Sequence, residues 1–151
     1  RGKRTIPNGN LQMLQGFNFN IDAPLSTAVF LDHTFNFDRV SGEATLNLDA
    51  FNPTIGIAAP GGTTHFKLNF GAAALDFDNE ETVFAATHTG ILPYNETEVA
   101  ASELNVLLQP NLLTPVIQLL GVEFFQEVNT KFYPLKNGAK NALAVVKTDT
   151  V

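Results

Sequence analysis

The sequence predicts an all-β fold, an antiparallel β-sandwich of Ig-like or jelly-roll-like type with about nine or ten strands. An apolar residue alternates with Asn or Asp at four places, which are 17–20, 35–38, 46–49 and 75–78. Such period-2 alternation is typical of strands with one buried and one exposed face. Gly and Pro interrupt the chain at short intervals, and thirteen Phe are available for a core. Several such strands in one small chain indicate sheets packed on a shared core.

Three strands are predicted in the first third of the chain. The alternating segment Leu11–Ile21 is the first, and Val29–Phe37 is the second. A tight turn at Arg39–Gly42 leads into the third, Ala44–Phe51. We therefore expect the second and third strands to form a hairpin.

The middle of the chain alternates again over Thr64–Phe70. Four small residues, Gly71–Ala74, follow, and they favour a break or β-bulge before Leu75 and Phe77. With this interpretation, ten apolar side chains face the core: Phe17, Phe19, Phe35, Phe37, Leu46, Leu48, Phe66, Leu68, Leu75 and Phe77.

The segment between residues 112 and 120 is ambiguous. Its apolar residues fit a short helix, with Pro115 in the first turn and Gly121 as the stop. They also fit a strand, which we prefer because the apolar run continues through Val122–Val128. The remaining strands are predicted at 82–87, 103–109, 131–135 and 141–147.

Length and charge describe one acidic domain. We expect a single sandwich over 11–151, preceded at 1–10 by a linker or the end of an upstream region, because Arg1, Lys3 and Arg4 cluster there. The rest of the chain holds six basic against fifteen acidic residues, which argues against nucleic-acid binding. The absence of Cys excludes disulfides and thiolate metal sites. No apolar stretch is long enough for a transmembrane helix, and both a cell-surface location and a cytoplasmic particle remain open.

Several segments resemble the C-terminal region of an uncharacterised family of Gram-negative bacterial proteins. They are Leu14–Asn20, Asp38–Arg39, Ala59–Phe66, Ile91–Pro93, Gly121–Asn129 and Tyr133–Gly138. In that family a basic helical segment precedes the region, which the resemblance offers as the origin of the basic residues at the start. The resemblance implies no activity and no catalytic residue.

The acidic turn after residue 75 is a weak metal candidate. Asp76, Asp78 and Glu80 could offer oxygen ligands to Ca²⁺. The Asp-x-Asp-x-Asp-Gly pattern is missing, so we expect a solvated turn and no tightly bound ion or cofactor. The three His lie on separate segments without paired spacing, and no Gly-x-Ser-x-Gly motif is present. The sequence therefore does not predict an enzyme.

Phe124 and Phe125 are the predicted interaction residues. Adjacent residues of a strand point to opposite faces, so this pair indicates burial on both sides or one Phe exposed to a partner. The strands also carry few Lys to protect their edges. We predict a non-enzymatic assembly module that forms a homo-oligomer, as in a filament, surface layer or particle. The alternative is a module that binds a glycan or another protein, although the absence of Trp weakens the glycan version.

Overall fold

A computed structural model describes residues 10–150, which form two antiparallel sheets packed on one core, as predicted. The predicted linker at 1–10 and its basic cluster lie outside the described residues, apart from Asn10. Within this range the strands are β1 (His33–Asp38), β2 (Glu43–Leu48), β3 (His65–Asp76), β4 (Glu81–His88), β5 (Leu92–Pro93), β6 (Ser102–Leu107), β7 (Val116–Val128), β8 (Lys131–Pro134) and β9 (Ala142–Asp149). The helical turns are α1 (Leu25–Ala28), α2 (Pro53–Gly56) and 3-10 turns at Leu11–Leu14 and Leu135–Gly138.

The small sheet has the strand order β1-β2-β6. The predicted hairpin is confirmed, because β1 and β2 pair from His33↔Leu48 to Asp38↔Glu43. Its turn is closed by the Gly42 amide, which donates to the Asp38 carbonyl at 2.7 Å. The core face of this sheet therefore carries one apolar set, and the opposite face carries Asn, Thr, Asp and Glu.

The large sheet has β3 and β7 at its centre, in the order β4-β3-β7. Beyond β7, β9 pairs with the stretch from Val116 to Val122, and β8 pairs with the stretch from Phe125 to Val128. β5 extends the sheet beside the start of β3. β3 and β7 are hydrogen-bonded to other strands along both edges, and their core faces are mainly apolar, whereas their outer faces are apolar only in part.

The core lies between the two sheets. Phe66, Leu68 and Phe70 of β3 are each at most 1% exposed, and Phe70 stacks on Phe35 of the small sheet at 6.1 Å between ring centres. The inward orientation predicted for six residues is confirmed, with Phe35 only partly buried: Phe35, Phe37, Leu46, Leu48, Phe66 and Leu68.

The predicted first strand at Leu11–Ile21 is wrong. The segment begins as a 3-10 turn and makes only an isolated bridge from Asn18 to Ala144. Phe17 and Phe19, predicted to face inward, are 53% and 56% exposed. The Asn side chains anchor the segment instead, since Asn18 Oδ1 accepts from the Leu25 amide and Asn20 Nδ2 donates to the Asn141 carbonyl. The residues of this segment do alternate between two sides, but the Asn side chains face the protein and the Phe side chains face outward.

The predicted break at Gly71–Ala74 is also wrong, because β3 runs through it without interruption. Phe66, Leu68 and Phe70 face the core, so Leu75 lies on the opposite face by parity. Phe77 follows the end of the strand, and both side chains are half-buried. A strand that stays paired on both sides, as at Ala74 with Val83 and Val116, leaves no room for a bulge.

The preferred interpretation of the ambiguous segment is confirmed. Residues 116 to 128 form β7, and no helix occurs between residues 112 and 120 of the described chain. The helix-like spacing arises because β7 is apolar on both faces. Val116, Leu120 and Val122 face the core, whereas Leu119 is buried on the other side.

Candidate functional site

Both predicted interaction residues are inaccessible to a partner. Phe124 is 1% exposed within the core, and Phe125 is 9% exposed on the opposite face of the large sheet. The Lys67 ammonium lies 5.7 Å from the centre of the Phe125 ring and covers it. Of the two possibilities that the sequence left open, burial on both sides is the one found. Neither side chain is therefore available as an exposed contact surface.

The acidic turn is organised by hydrogen bonds of its own. Asp76 Oδ1 accepts from the Asp78 and Asn79 amides at 3.1 Å, and Oδ2 accepts from Asn79 Nδ2 at 2.8 Å. These bonds, first of all the one from the Asn79 side chain, lower the pKa of Asp76. Asp78 and Glu80 are exposed. Among residues 10–150, no group of three His, Cys, Asp or Glu is placed to hold a metal.

The histidines occupy separate places. His33 Nδ1 lies 2.6 Å from the Leu31 carbonyl, which orients the ring. His65 Nδ1 lies 2.9 Å from Thr64 Oγ1, and its Nε2 lies 3.8 Å from Glu127. His88 Nδ1 accepts from the Gly90 amide. Each ring is thus engaged with its own surroundings.

A polar network crosses the outer face of the large sheet. Glu123 of β7 accepts from Lys67 at 3.0 Å and from Asn69 at 2.7 Å, both on β3. Burial acts to raise the pKa of Glu123, but the hydrogen bonds from Asn69 and Lys67 and the charge of Lys67 outweigh it and leave the pKa lowered. The network ties the two central strands together.

We expect Lys67→Ala to raise the pKa of Glu123, because the hydrogen bond and the charge of Lys67 would no longer help the Asn69 hydrogen bond to oppose the effect of burial. The folded-state pKa of Glu123 lies below its ordinary value of 4.5. Its contribution to stability is therefore present above that value and is lost as pH falls through the folded pKa. An NMR titration of the carboxyl group measures the shift. Lys140→Ala, at an exposed site, is the control, and an equal pKa in both variants would contradict the assignment.

Several sheet edges are protected. Lys147 Nζ donates to the Phe35 carbonyl at 3.3 Å and so caps the open side of β1. The chain at Gly16–Phe19 hydrogen-bonds the edge of β9. β8 contains Lys131 and Pro134, two residue types that discourage pairing with another chain.

β4 is different, because it is an edge strand without Lys or Pro that approaches β6 of the small sheet but does not pair with it. Its sequence from Glu81 to His88 contains no Lys, Pro or Gly, and it pairs with β3 alone among the described strands. Val83 and Phe84 are 44% and 60% exposed. The Phe84 ring lies over Gly71 on the outer face of the sheet. A Cβ atom at position 71 would come within 2.9 Å of this ring. A long exposed edge with apolar side chains is a site for adding another strand.

The register shows which backbone groups of β4 are free. The Thr89 amide donates to the Leu68 carbonyl, just beyond the end of the strand. In an antiparallel pair, hydrogen-bonded positions alternate, so the odd residues 83, 85 and 87 bond to β3. The amides and carbonyls of Thr82, Phe84, Ala86 and His88 therefore point to the open side.

The outer face of the small sheet forms a shallow polar cleft of about 350 Å³. Asn105 Nδ2 donates to Glu43 at 3.2 Å and to Glu103 at 3.4 Å. The cleft is lined by Asn36, Asp38, Glu43, Thr45, Asn47 and Glu103. Asn105 of β6 thus makes a cross-strand hydrogen bond to Glu43 of β2.

No family model matches the chain, and neither the curated proteins nor the solved structures include a significant match. The resemblance to the Gram-negative family therefore stays a prediction. The geometry of the described residues carries the functional interpretation. Among residues 10–150, no helix has the length and apolar character needed to cross a membrane.

Proposed function

We propose that this chain is a non-enzymatic assembly module that forms a homo-oligomer by pairing β4 with β4 of a second copy. The observation that carries the proposal is the open backbone row of β4, flanked by exposed Val83 and Phe84. Two such edges, joined antiparallel, form one continuous sheet. Self-association is a structural role, and it needs no reactive group.

A two-fold axis perpendicular to the sheet keeps each residue on its own face, so opposed residues must both be even or both be odd. Hydrogen bonds further require the even residues, whose groups are free, to bond with each other. Two registers keep seven of the eight residues of the strand paired, one with Phe84 opposite Phe84 and one with Ala85 opposite Ala85. The proposal takes the second, because it sets each Phe84 ring beside a small side chain and not directly against the other Phe84. It also places Phe84 opposite Ala86 and Thr82 opposite His88.

This register is chemically compatible with pairing. Phe84 and Ala86 share the outer face, since they pair with Ala73 and Gly71 of β3. The two Phe84 side chains become diagonal neighbours, within reach of each other across ~7–8 Å. No pair within the strand sets like charges opposite each other. The interface therefore covers the apolar group that is most exposed on this edge.

Proline substitutions at adjacent residues test the proposal. Ala86→Pro removes an amide hydrogen that points to the open edge, so the monomer should keep its fold while the oligomer dissociates. Ala85→Pro removes a hydrogen bond to β3 and should destabilise the monomer itself. Light scattering after size exclusion gives the mass, and thermal melting gives the stability.

Ala86→Ser keeps the amide and should keep the oligomer. The proposal fails if the wild-type chain is monomeric across the micromolar range. It also fails if Ala86→Pro leaves the oligomer intact, because the pairing cannot form without that donor.

A second candidate function is glycan binding at the polar cleft of the small sheet. Its amide and carboxylate groups, such as Asn36, Asn47 and Glu103, are suited to sugar hydroxyl groups. No aromatic residue lines this cleft, so stacking on a sugar ring is absent there. A glycan array with wild type and Asn47→Ala distinguishes this function, since self-association through β4 does not depend on Asn47.

A further inference from the structure

A cleft of about 490 Å³ opens between the sheets, on the side where β1 and β9 face each other. Lys147 of β9 reaches the Phe35 carbonyl of β1, which marks this side of the sandwich. The apolar part of its lining comes from both sheets and from the chain around α1: Leu25, Val29, Phe35, Leu120, Ala144 and Val146. Cavities of about 300–1,000 Å³ with mainly apolar walls are typical of small-molecule sites.

The cleft stays open because the chain at Gly16 and Phe17 is hydrogen-bonded to the edge of β9. The Gly16 amide donates to the Val145 carbonyl at 2.7 Å, and the Val145 amide donates to the Phe17 carbonyl at 2.9 Å. These hydrogen bonds occupy backbone groups of β9 that could otherwise pair with β1. On the other side of the sandwich, β4 and β6 contact each other. On the β1–β9 side, the two sheets are therefore held apart by this segment and by α1.

The polar groups at the cleft are few. Asn18 is already engaged, since its Oδ1 accepts from the Leu25 amide and its Nδ2 donates to the Gly16 carbonyl. His33 Nδ1 must donate to the Leu31 carbonyl, because a carbonyl can only accept. In the neutral ring, His33 Nε2 is then a hydrogen-bond acceptor. Gln15 and Ser26 complete the polar lining, and none of the Lys and Arg residues between positions 10 and 150 contributes to it.

We propose that this cleft binds a small, uncharged, mainly apolar molecule that carries a hydroxyl group. The apolar walls take the hydrocarbon part, and the hydroxyl donates to His33 Nε2. A carboxylate is disfavoured, because the described part of the lining offers no Lys or Arg to offset the loss of its hydration. This site is independent of the β4 edge, which lies at the opposite side of the large sheet.

Titration with 1-naphthol, followed by ¹H–¹⁵N NMR of the wild-type chain, tests the site. We expect shifts concentrated at cleft residues, and binding about fivefold tighter than that of 1-methoxynaphthalene, which lacks the hydroxyl donor. 1-Naphthoate should bind more weakly than 1-naphthol. Absence of saturable shifts at the cleft with 1-naphthol would overturn the proposal.

Two variants and a control locate the site. Ser26→Phe, at an exposed position of α1, should obstruct the cleft and abolish binding. His33→Phe should remove the fivefold preference for 1-naphthol and retain binding of the ether. Thr34→Phe, on the same strand but on its opposite face, should change neither result. Unchanged binding in Ser26→Phe, or an unchanged preference in a folded His33→Phe, contradicts the assignment.

Discussion

Replacing Phe124 with Ala is expected to lower the free energy of unfolding by about 3–5 kcal/mol. Phe124 is 1% exposed and lies in the core between the sheets, so truncation removes buried apolar area and leaves a cavity that the neighbours fill only in part. Natural domains are stable by only about 5–15 kcal/mol, and the loss would consume much of this margin. Urea unfolding measures it.

Phe17→Ala is the matched control for Phe124→Ala. Each residue lies within two positions of another Phe in the sequence. Phe17, however, is 53% exposed, and its ring meets the Phe19 ring edge-on at 5.2 Å between ring centres. We expect a loss below about 1 kcal/mol, the size of one aromatic pair. Equal losses in the two variants would show that the Phe17–Asn20 segment is packed into the core.

Replacing Gly42 with Ala is expected to lower the free energy of unfolding by at least about 2 kcal/mol. Gly42 has φ +81°, in the region where a side chain costs roughly 1–2 kcal/mol. A Cβ there would also lie 2.5 Å from the Gln109 carbonyl oxygen and 2.7 Å from that of Leu108. These are backbone atoms, so relief requires moving the chain that follows β6 away from the β1–β2 turn.

Gly90→Ala separates the two causes. Gly90 has nearly the same backbone angle, φ +80°, but a Cβ there meets no atom within 4 Å. Its replacement should cost only the conformational part, about 1–2 kcal/mol. The difference between the two variants measures the steric part, and thermal and urea unfolding both report it. If Gly42→Ala is no more destabilising than Gly90→Ala, the close approach to the residue 108–109 backbone is not rigid.

The proposed interaction surface is the β4 edge and not Phe124, which is buried. Phe124 and Phe125 are adjacent aromatic residues, and both are covered. Several strands lack Lys and Pro, and only the sheet order distinguishes them. β3 lies between two neighbours, whereas β4 has an open side. β6 is also an edge strand without Lys or Pro, but it has six residues against the eight of β4.

The sequence by itself determined the fold class, the β1–β2 hairpin and the inward set of β1, β2 and the start of β3. These depend on local alternation and on a tight turn, both of which act within a few residues. It also predicted β7 correctly from the length of an apolar run. These features need no knowledge of what lies across the sheet.

Only the tertiary structure decided which side of each alternating segment is buried. Phe17–Asn20 and Phe35–Asp38 have the same pattern, yet Phe37 is 9% exposed and Phe17 is 53% exposed. Alternation defines two faces, but burial depends on which face meets another layer. In the first segment the Asn side chains bond to distant backbone groups, so the Phe side is turned outward. Whether a strand is central or at an edge likewise depends on pairing between residues that are distant in the sequence. For that reason, the β4 edge and the β1–β9 cleft could not be predicted from the sequence and are defined only by the tertiary structure.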